Sequence, residues 1–262
     1  MRAGADRDPT CLPSTTWLRF GARGHESWGA AASRARLAMR RHGLREVARI
    51  AILRVWMNVY VDERHVWLAL RLSQPRPRLD LPPGYDLLRA SSRDIPLLSQ
   101  LGVDRPRAGR RLAEGHELWL MRHGAEVVYS GWVFHGLAPT VAAPSGWVPL
   151  PRAVANPEDV VTSPLHRGRG LASAAYTKIF DDLARDGRAM AVVGKIPVGN
   201  TANRRAVQKT GWREFAVVHF RRLGPWRRAT VHPLPLDEGL LQARAPELTA
   251  WLAAALQARS TR

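Results

Sequence analysis

The residues best placed to do chemistry lie in the run Val160-Val161-Thr162-Ser163-Pro164-Leu165-His166-Arg167-Gly168-Arg169-Gly170-Leu171-Ala172. A β-branched stretch leads into a turn with two glycines. An amphipathic helix is expected to start at once, with Leu171, Ala174, Ala175, Ile179 and Leu183 on one face. Glycine tolerates positive φ and lets a ligand come close to the backbone. The first N–H groups of a helix have no internal partners, and the helix dipole is positive at that end. The product is an anion site with its donors already aimed, suited to a pyrophosphate. Arg167 and Arg169 add charge-assisted hydrogen bonds. Competing phosphate motifs fit less well. A P-loop would end in Gly-Lys-Ser/Thr, which is absent. A dinucleotide fingerprint would need a third glycine where Ser173 stands. It would also want an acidic residue after the next strand, where the chain reads Lys195-Ile196-Pro197. Two glycines alone fit a plain tight turn equally well.

A second segment narrows the reading. Arg167-x-x-Gly170-x-Ala172 matches the Arg/Gln-x-x-Gly-x-Gly/Ala signature of the GNAT acetyltransferases. Downstream, Asn200-Thr-Ala-Asn203 through Gly211-Trp212 resembles that family's Asn-x-x-Ser/Ala…Gly-Phe segment, with Trp212 in place of Phe. Over residues 84–224 the chain therefore resembles the GNAT N-acyltransferases. The resemblance implies an α/β fold, with a mixed and mostly antiparallel sheet flanked by helices and splayed at its centre. It implies acetyl-CoA or another short acyl-CoA as co-substrate, and no metal.

Pantetheine would lie along the splayed fourth and fifth strands, here Val160, Val161, Thr162 and Val192–Ile196. Pyrophosphate would sit on Arg167, Gly168, Arg169, Gly170, Leu171 and Ala172. The acceptor, a small-molecule or protein amine, would attack the thioester directly while a backbone N–H of the fourth strand polarises the carbonyl. A base, or a water chain to one, must deprotonate the ammonium. The candidates are Glu158 and Asp159 at the start of the fourth strand and His135 after the third, with His166 beside the turn. The carboxylates read equally as solvated strand ends and the histidines as surface residues. Asn200 and Asn203 either cap the last helix or reach the cofactor.

The family often carries a tyrosine on the last helix as proton donor to the thiolate; Val207 holds that place here. Tyr176 on the preceding helix reads as packing, and Trp132 and Trp147 could line an acceptor pocket. The missing tyrosine leaves open a second reading, a module that binds acyl-CoA without turnover.

The surrounding elements must position these residues. Tyr85–Arg89 reads as a strand, and Ser92 with Asp94 as a helix start. Leu118–Arg122 and Glu126–Phe134 form a hairpin about His123-Gly124. Thr140–Pro157 is an irregular excursion, and Asp159–Thr162 a short strand. The helix Leu171–Arg185, the strand Ala189–Ile196, the helix Asn200–Lys209 and the strand Phe215–Arg221 follow. Pro75, Pro77, Pro82 and Pro83 make 74–84 a stiff linker and a domain boundary. Ahead of it, 1–30 lacks apolar periodicity and reads as a disordered tail. Residues 31–83 read as a basic amphipathic helix over 31–56, an extended stretch over Val59–Leu72, and the linker. Residues 225–262 read as a helical tail broken near Pro246.

Composition bounds the rest. The 262 residues carry a formal charge of +18, almost all of it arginine and spread along the chain, which suits any polyanion, coenzyme A included, and marks no specific nucleic-acid arm. The helix at 31–56 could touch an anionic membrane surface or pack on the domain with its arginines in water. The one cysteine, Cys11, forms no internal disulfide, and no apolar run reaches a membrane-spanning length of about 18 residues. A cytoplasmic setting is the expectation.

Overall fold

The computed structural model describes residues 60–235 and 245–257. The expected tail, the basic helix and Cys11 lie outside the described residues. By its internal contacts the chain divides into 1–58 and a second unit, Val59–Arg262, which holds everything described here.

The second unit is built on one eight-stranded sheet. Its strands are β1 (Tyr60–Arg71), β2 (Tyr85–Ala90), β3 (Glu117–His123), β4 (Glu126–His135), β7 (Val154–Thr162), β8 (Ala191–Pro197), β9 (Arg213–Leu223) and β10 (Trp226–Pro233). The order is β10-β9-β1-β8-β7-β4-β3-β2. Every neighbouring pair is antiparallel except β7 with β8. A small hairpin of β5 (Leu137–Pro139) and β6 (Trp147–Pro149) gives the excursion regular structure. Mixed pairing with helices on the faces is the fold class expected.

Strand alternation feeds cores on opposite faces. Val66, Leu68 and Leu70 of β1 point toward α2 (Leu171–Arg185) and α3 (Thr201–Gln208). Trp67 and Ala69 point the other way, toward the β5–β6 hairpin and α4 (Ala245–Gln257). Farther along the sheet, Leu118 and Leu120 meet a 3-10 helix (Ser92–Leu101) and α1 (Arg105–Ala113). No helix among the described residues is long and apolar enough to cross a membrane.

Four expectations need correction. The strand Tyr60–Arg71 is no extension: it is paired on both edges, with β8 and with β9, so the unit begins before the proline-rich segment. That segment wraps back onto the domain, where Arg76 donates to the Leu72 carbonyl at 2.7 Å and pairs with Asp181 of α2. Helix α1 was missed because Pro106 and Gly109 break its pattern. Asp104 caps it by accepting from the Arg107 N–H, and only Ala108 and Arg111 are buried. The segment Ser92–Leu101 is a 3-10 helix instead of an α-helix, with Pro96 inside it withholding a donor. The start of the C-terminal tail forms β10, and Pro246 sits in the first turn of α4, where proline is tolerated.

A buried charge cluster ties β3 and β4 to the segment after α2. Glu117, only 3% exposed, accepts from His135 Nε2 at 2.7 Å and from Arg188, with the Arg89 Nε at 3.5 Å. Burial alone would raise the Glu117 pKa; the His135 and Arg188 hydrogen bonds overturn that and hold it at about 2, below the ordinary 4.5. A depressed carboxylate stabilises fully above pH 4.5 and loses that contribution as pH falls toward 2. Glu117→Gln is therefore expected to cost about 3 kcal/mol at pH 7. Urea unfolding at pH 7 and at pH 3 should show the gap between variant and parent shrinking in acid.

Candidate active site

The site begins where a parallel ladder stops. Strands β7 and β8 pair only at Val154↔Ala191 and Ala155↔Val192. Pro157 has no N–H to continue the ladder, and the Asn156 side chain donates to the Val193 carbonyl at 2.8 Å across the gap. Beyond it β7 bulges. Ser130 pairs with Val161 and Trp132 with Glu158, so Asp159 and Val160 together face Gly131. Asp159 takes φ +52° to make the bulge, a conformation that aspartate tolerates better than most residues. The two strands diverge from this point, which is the splay the resemblance implies.

The glycine turn caps the diverging strand. Thr162 and Ser163 lead through a short turn at Pro164–His166 to Arg167, and Gly170 at φ +74° is the N-cap of α2. Gly168 likewise takes φ +76°. No side chain caps the helix and its first turn holds no acidic residue, so its first N–H groups have no side-chain partner. The arginines are held from behind. Arg167 Nε donates to the Thr162 carbonyl at 3.2 Å, and Arg169 Nη1 donates to the Tyr85 hydroxyl at 3.2 Å. His166 is buried. Its Nδ1 lies 2.8 Å from the Tyr85 hydroxyl and its Nε2 3.5 Å from Glu126. The histidine that could have been a surface group or a base is thus part of the platform under the turn.

At the splay lies a cleft of about 100 Å³, with Glu158, Lys195, Tyr176, Asn203, Val207 and Trp212 among its walls. Glu158 pairs with Lys195, whose Nζ also donates to the Pro139 carbonyl at 2.6 Å. Glu158 Oε2 is shut off from solvent and has no partner within the protein. Burial pushes the Glu158 carboxyl pKa up; Lys195 opposes the shift without cancelling it. Tyr176 is pushed up too, by burial and then by the charge of Glu158, so its hydroxyl keeps its proton. Trp212 packs edge-on against Tyr176 and Phe180.

The other expected residues fall in different places. Asp159 is taken up by Arg111 Nη2 at 2.5 Å, and that guanidinium also lies over the rings of Trp132 and Phe134 at 5.1 and 4.8 Å. His135 does not line the cleft, because Glu117 holds it. Asn200 caps α3, its side chain accepting from the Asn203 N–H at 3.1 Å, whereas Asn203 itself borders the cleft. Val160 packs toward α2 and Val161 toward the opposite face. Trp132 is core, and Trp147 stands beside His116; neither borders the cleft. Sequence reasoning missed Lys195 and Tyr85. Lys195 is one of only three lysines among 40 basic side chains, but nothing local to it shows a carboxylate 37 residues away.

Known proteins can be set beside this geometry. No protein-family model matches the chain, and no curated protein matches it. Among solved structures, it is similar to a GCN5-related N-acetyltransferase from Kribbella flavida: 16% identity, TM-score 0.41, 77% of this chain and 66% of that one. It is also similar to one from Sphaerobacter thermophilus: 17% identity, TM-score 0.42, 73% of this chain and 58% of that one. A third is a predicted acetyltransferase from Clostridium acetobutylicum, solved with acetyl-CoA: 16% identity, TM-score 0.35, 49% of this chain and 90% of that one. The chain spans less than two thirds of the length of several structures that it matches. Likeness at this level says nothing of activity. The strand splay, the glycine turn and the helix that follows it are this chain's own. In fold class the chain is a mixed, mostly antiparallel sheet flanked by helices, as expected from its sequence.

Proposed function

We propose that this chain is an N-acyltransferase that moves an acetyl or other short acyl group from acyl-CoA to a primary amine. The observation that carries the reading is a conjunction: an uncapped helix N-terminus beside Arg167 and Arg169 stands at one end of the splay, and a buried carboxylate without a full set of partners stands at the other. Val160, Val161 and Thr162 offer a strand edge unpaired toward β8, along which an amide-bearing arm can bind. Backbone N–H groups of Arg167, Gly168, Arg169, Gly170, Leu171 and Ala172 hold the pyrophosphate. Acyl-CoA supplies an activated thioester.

Glu158 accepts the proton of the acceptor ammonium, and the freed amine attacks. The new C–N bond forms as the C–S bond breaks, and the leaving thiolate takes up the second proton, which the nitrogen sheds in becoming an amide. An N–H of the bulged β7 segment steadies the negative charge on the carbonyl oxygen. Tyr176, protonated and in the cleft, is the side chain nearest in kind to the tyrosine that Val207 replaces. The second reading, binding without turnover, draws on Val207, which lines the cleft and supplies no proton. Thiol release from acetyl-CoA in the presence of an amine panel decides between the two: binding with no release for any amine favours the module.

The narrowness of the cleft gives a further check. A Cβ at Gly194 would stand 3.2 Å from Trp212 Cη2 and 3.4 Å from its Cζ3. Gly194→Val should therefore fill the cleft and weaken acyl-CoA binding about tenfold or more, at a stability cost of about 1–3 kcal/mol. Calorimetric titration alongside a thermal melt measures both.

A further inference from the structure

We infer, resting on the acyl-transfer reading, that the acceptor is an amine carrying an anionic group beside its nitrogen, an amino acid or a similar zwitterion, and that Lys195 recognises that group. Strand alternation sets the approach. Val192 and Ile196 of β8 pack toward α2 and α3, so Lys195 emerges on the opposite face with Val193 and meets the β5–β6 hairpin at Pro139. The glycine turn serves one face of the sheet and the Glu158–Lys195 pair the other. Acceptor and acyl donor thus meet at the splay from opposite sides.

The pair presents two complementary openings. Glu158 Oε2 is closed off from solvent and lacks a donor. An ammonium has three N–H groups, and the Lys195 contacts to Glu158 and to the Pro139 carbonyl occupy two. A carboxylate short of a donor beside an ammonium with a donor to spare is the mirror of a –NH₃⁺ next to a –COO⁻. Charge balance points the same way. Glu158 and Asp159 are in electrostatic contact with Lys195 and Arg111, and Arg107 acts on Asp159 and Arg111 in turn. With Asp104 and Arg110, which Arg107 also faces, four cations stand against three carboxylates. A simple ammonium would add to the excess, whereas a zwitterion leaves the balance unchanged while offering each side a partner. Lysine, a compact charge with rotatable donors, can turn from Glu158 toward an incoming anion without leaving the strand.

The test compares matched acceptors with the full chain and acetyl-CoA: phenylalanine with phenethylamine, lysine with cadaverine, β-alanine with ethylamine. Calorimetry first establishes that acetyl-CoA binds. Thiol release should then favour the acid-bearing member of at least one pair by about a hundredfold in kcat/KM. Lys195→Gln should bring that ratio close to one, and Lys195→Arg should keep most of it. Because the ratio is taken within a pair, a general loss caused by leaving Glu158 unpaired cancels. Three results overturn the inference while the acyl-transfer reading stands: parent ratios near one, a ratio that survives Lys195→Gln, or turnover confined to amines without an acid group. Acetyl-CoA that binds but is turned over with neither member of any pair overturns it as well. Absence of acetyl-CoA binding overturns the inference together with the reading beneath it.

Discussion

Gly170→Glu is expected to abolish acyl-CoA binding, lowering affinity by at least about a hundredfold, while the domain stays folded. No heavy atom lies within 4 Å of the position a Cβ would take, so the side chain has room. The cost to the fold is backbone strain at φ +74°, about 1–2 kcal/mol for a residue with a Cβ. A carboxylate at a helix N-terminus returns part of that through the dipole, about 0.3–1 kcal/mol. The same carboxylate then competes for the N–H groups proposed to hold the pyrophosphate and repels it. Gly170→Asn separates the effects, because asparagine tolerates this conformation and carries no charge. It should retain most of the affinity. Calorimetric titration with free CoA, paired with thermal melts, reads both quantities. Unchanged affinity in Gly170→Glu would remove the assignment of the turn.

Glu158→Gln carries the second large effect. If Glu158 takes the proton of the acceptor, its loss should lower kcat by about 10²- to 10⁴-fold and leave acyl-CoA affinity near that of the parent. The pH profile gives the more specific reading. Burial raises the Glu158 pKa, so the parent rate should climb with pH along an acid limb displaced above the ordinary carboxylate range. That limb should vanish in the glutamine variant. For stability the sign is reversed from that of Glu117. A carboxyl raised by folding holds its proton more tightly in the native state, so its contribution fades as pH rises through the folded pKa. Glu158 is therefore not a group the fold gains from at neutral pH, and the substitution should be close to neutral in urea unfolding. A rate unchanged by Glu158→Gln would place the base elsewhere.

What the sequence could and could not disclose follows from how local each feature is. The turn at Arg167–Ala172 was legible because positive-φ glycines and a helix start are written within a few residues. The helices carrying Leu171–Leu183 and Asn200–Val207, the hairpin about Gly124 and the strand read at Ala189–Ile196, observed at Ala191–Pro197, were legible for the same reason. The place of β1 was not, because its partners lie more than 100 residues away and four prolines after it resemble a linker. Within the site, Glu158 was named as a candidate from its place before a strand, but its pairing with Lys195 depends on two strands meeting at the splay. His166 shows the opposite case. From the sequence it reads as a surface residue beside the turn, yet it is buried against Tyr85, 81 residues earlier. His135 and Asp159 were plausible bases by position, yet Glu117 and Arg111 take them up.

Calorimetric titration of the full chain with acetyl-CoA and then with free CoA, followed by thiol release over the amine panel, decides whether the glycine turn serves an acyl-transfer site. Both ligands should bind in the micromolar range, since both carry the pyrophosphate that the turn is proposed to hold, and at least one amine should release thiol. Failure of both ligands to bind would contradict that role for the turn.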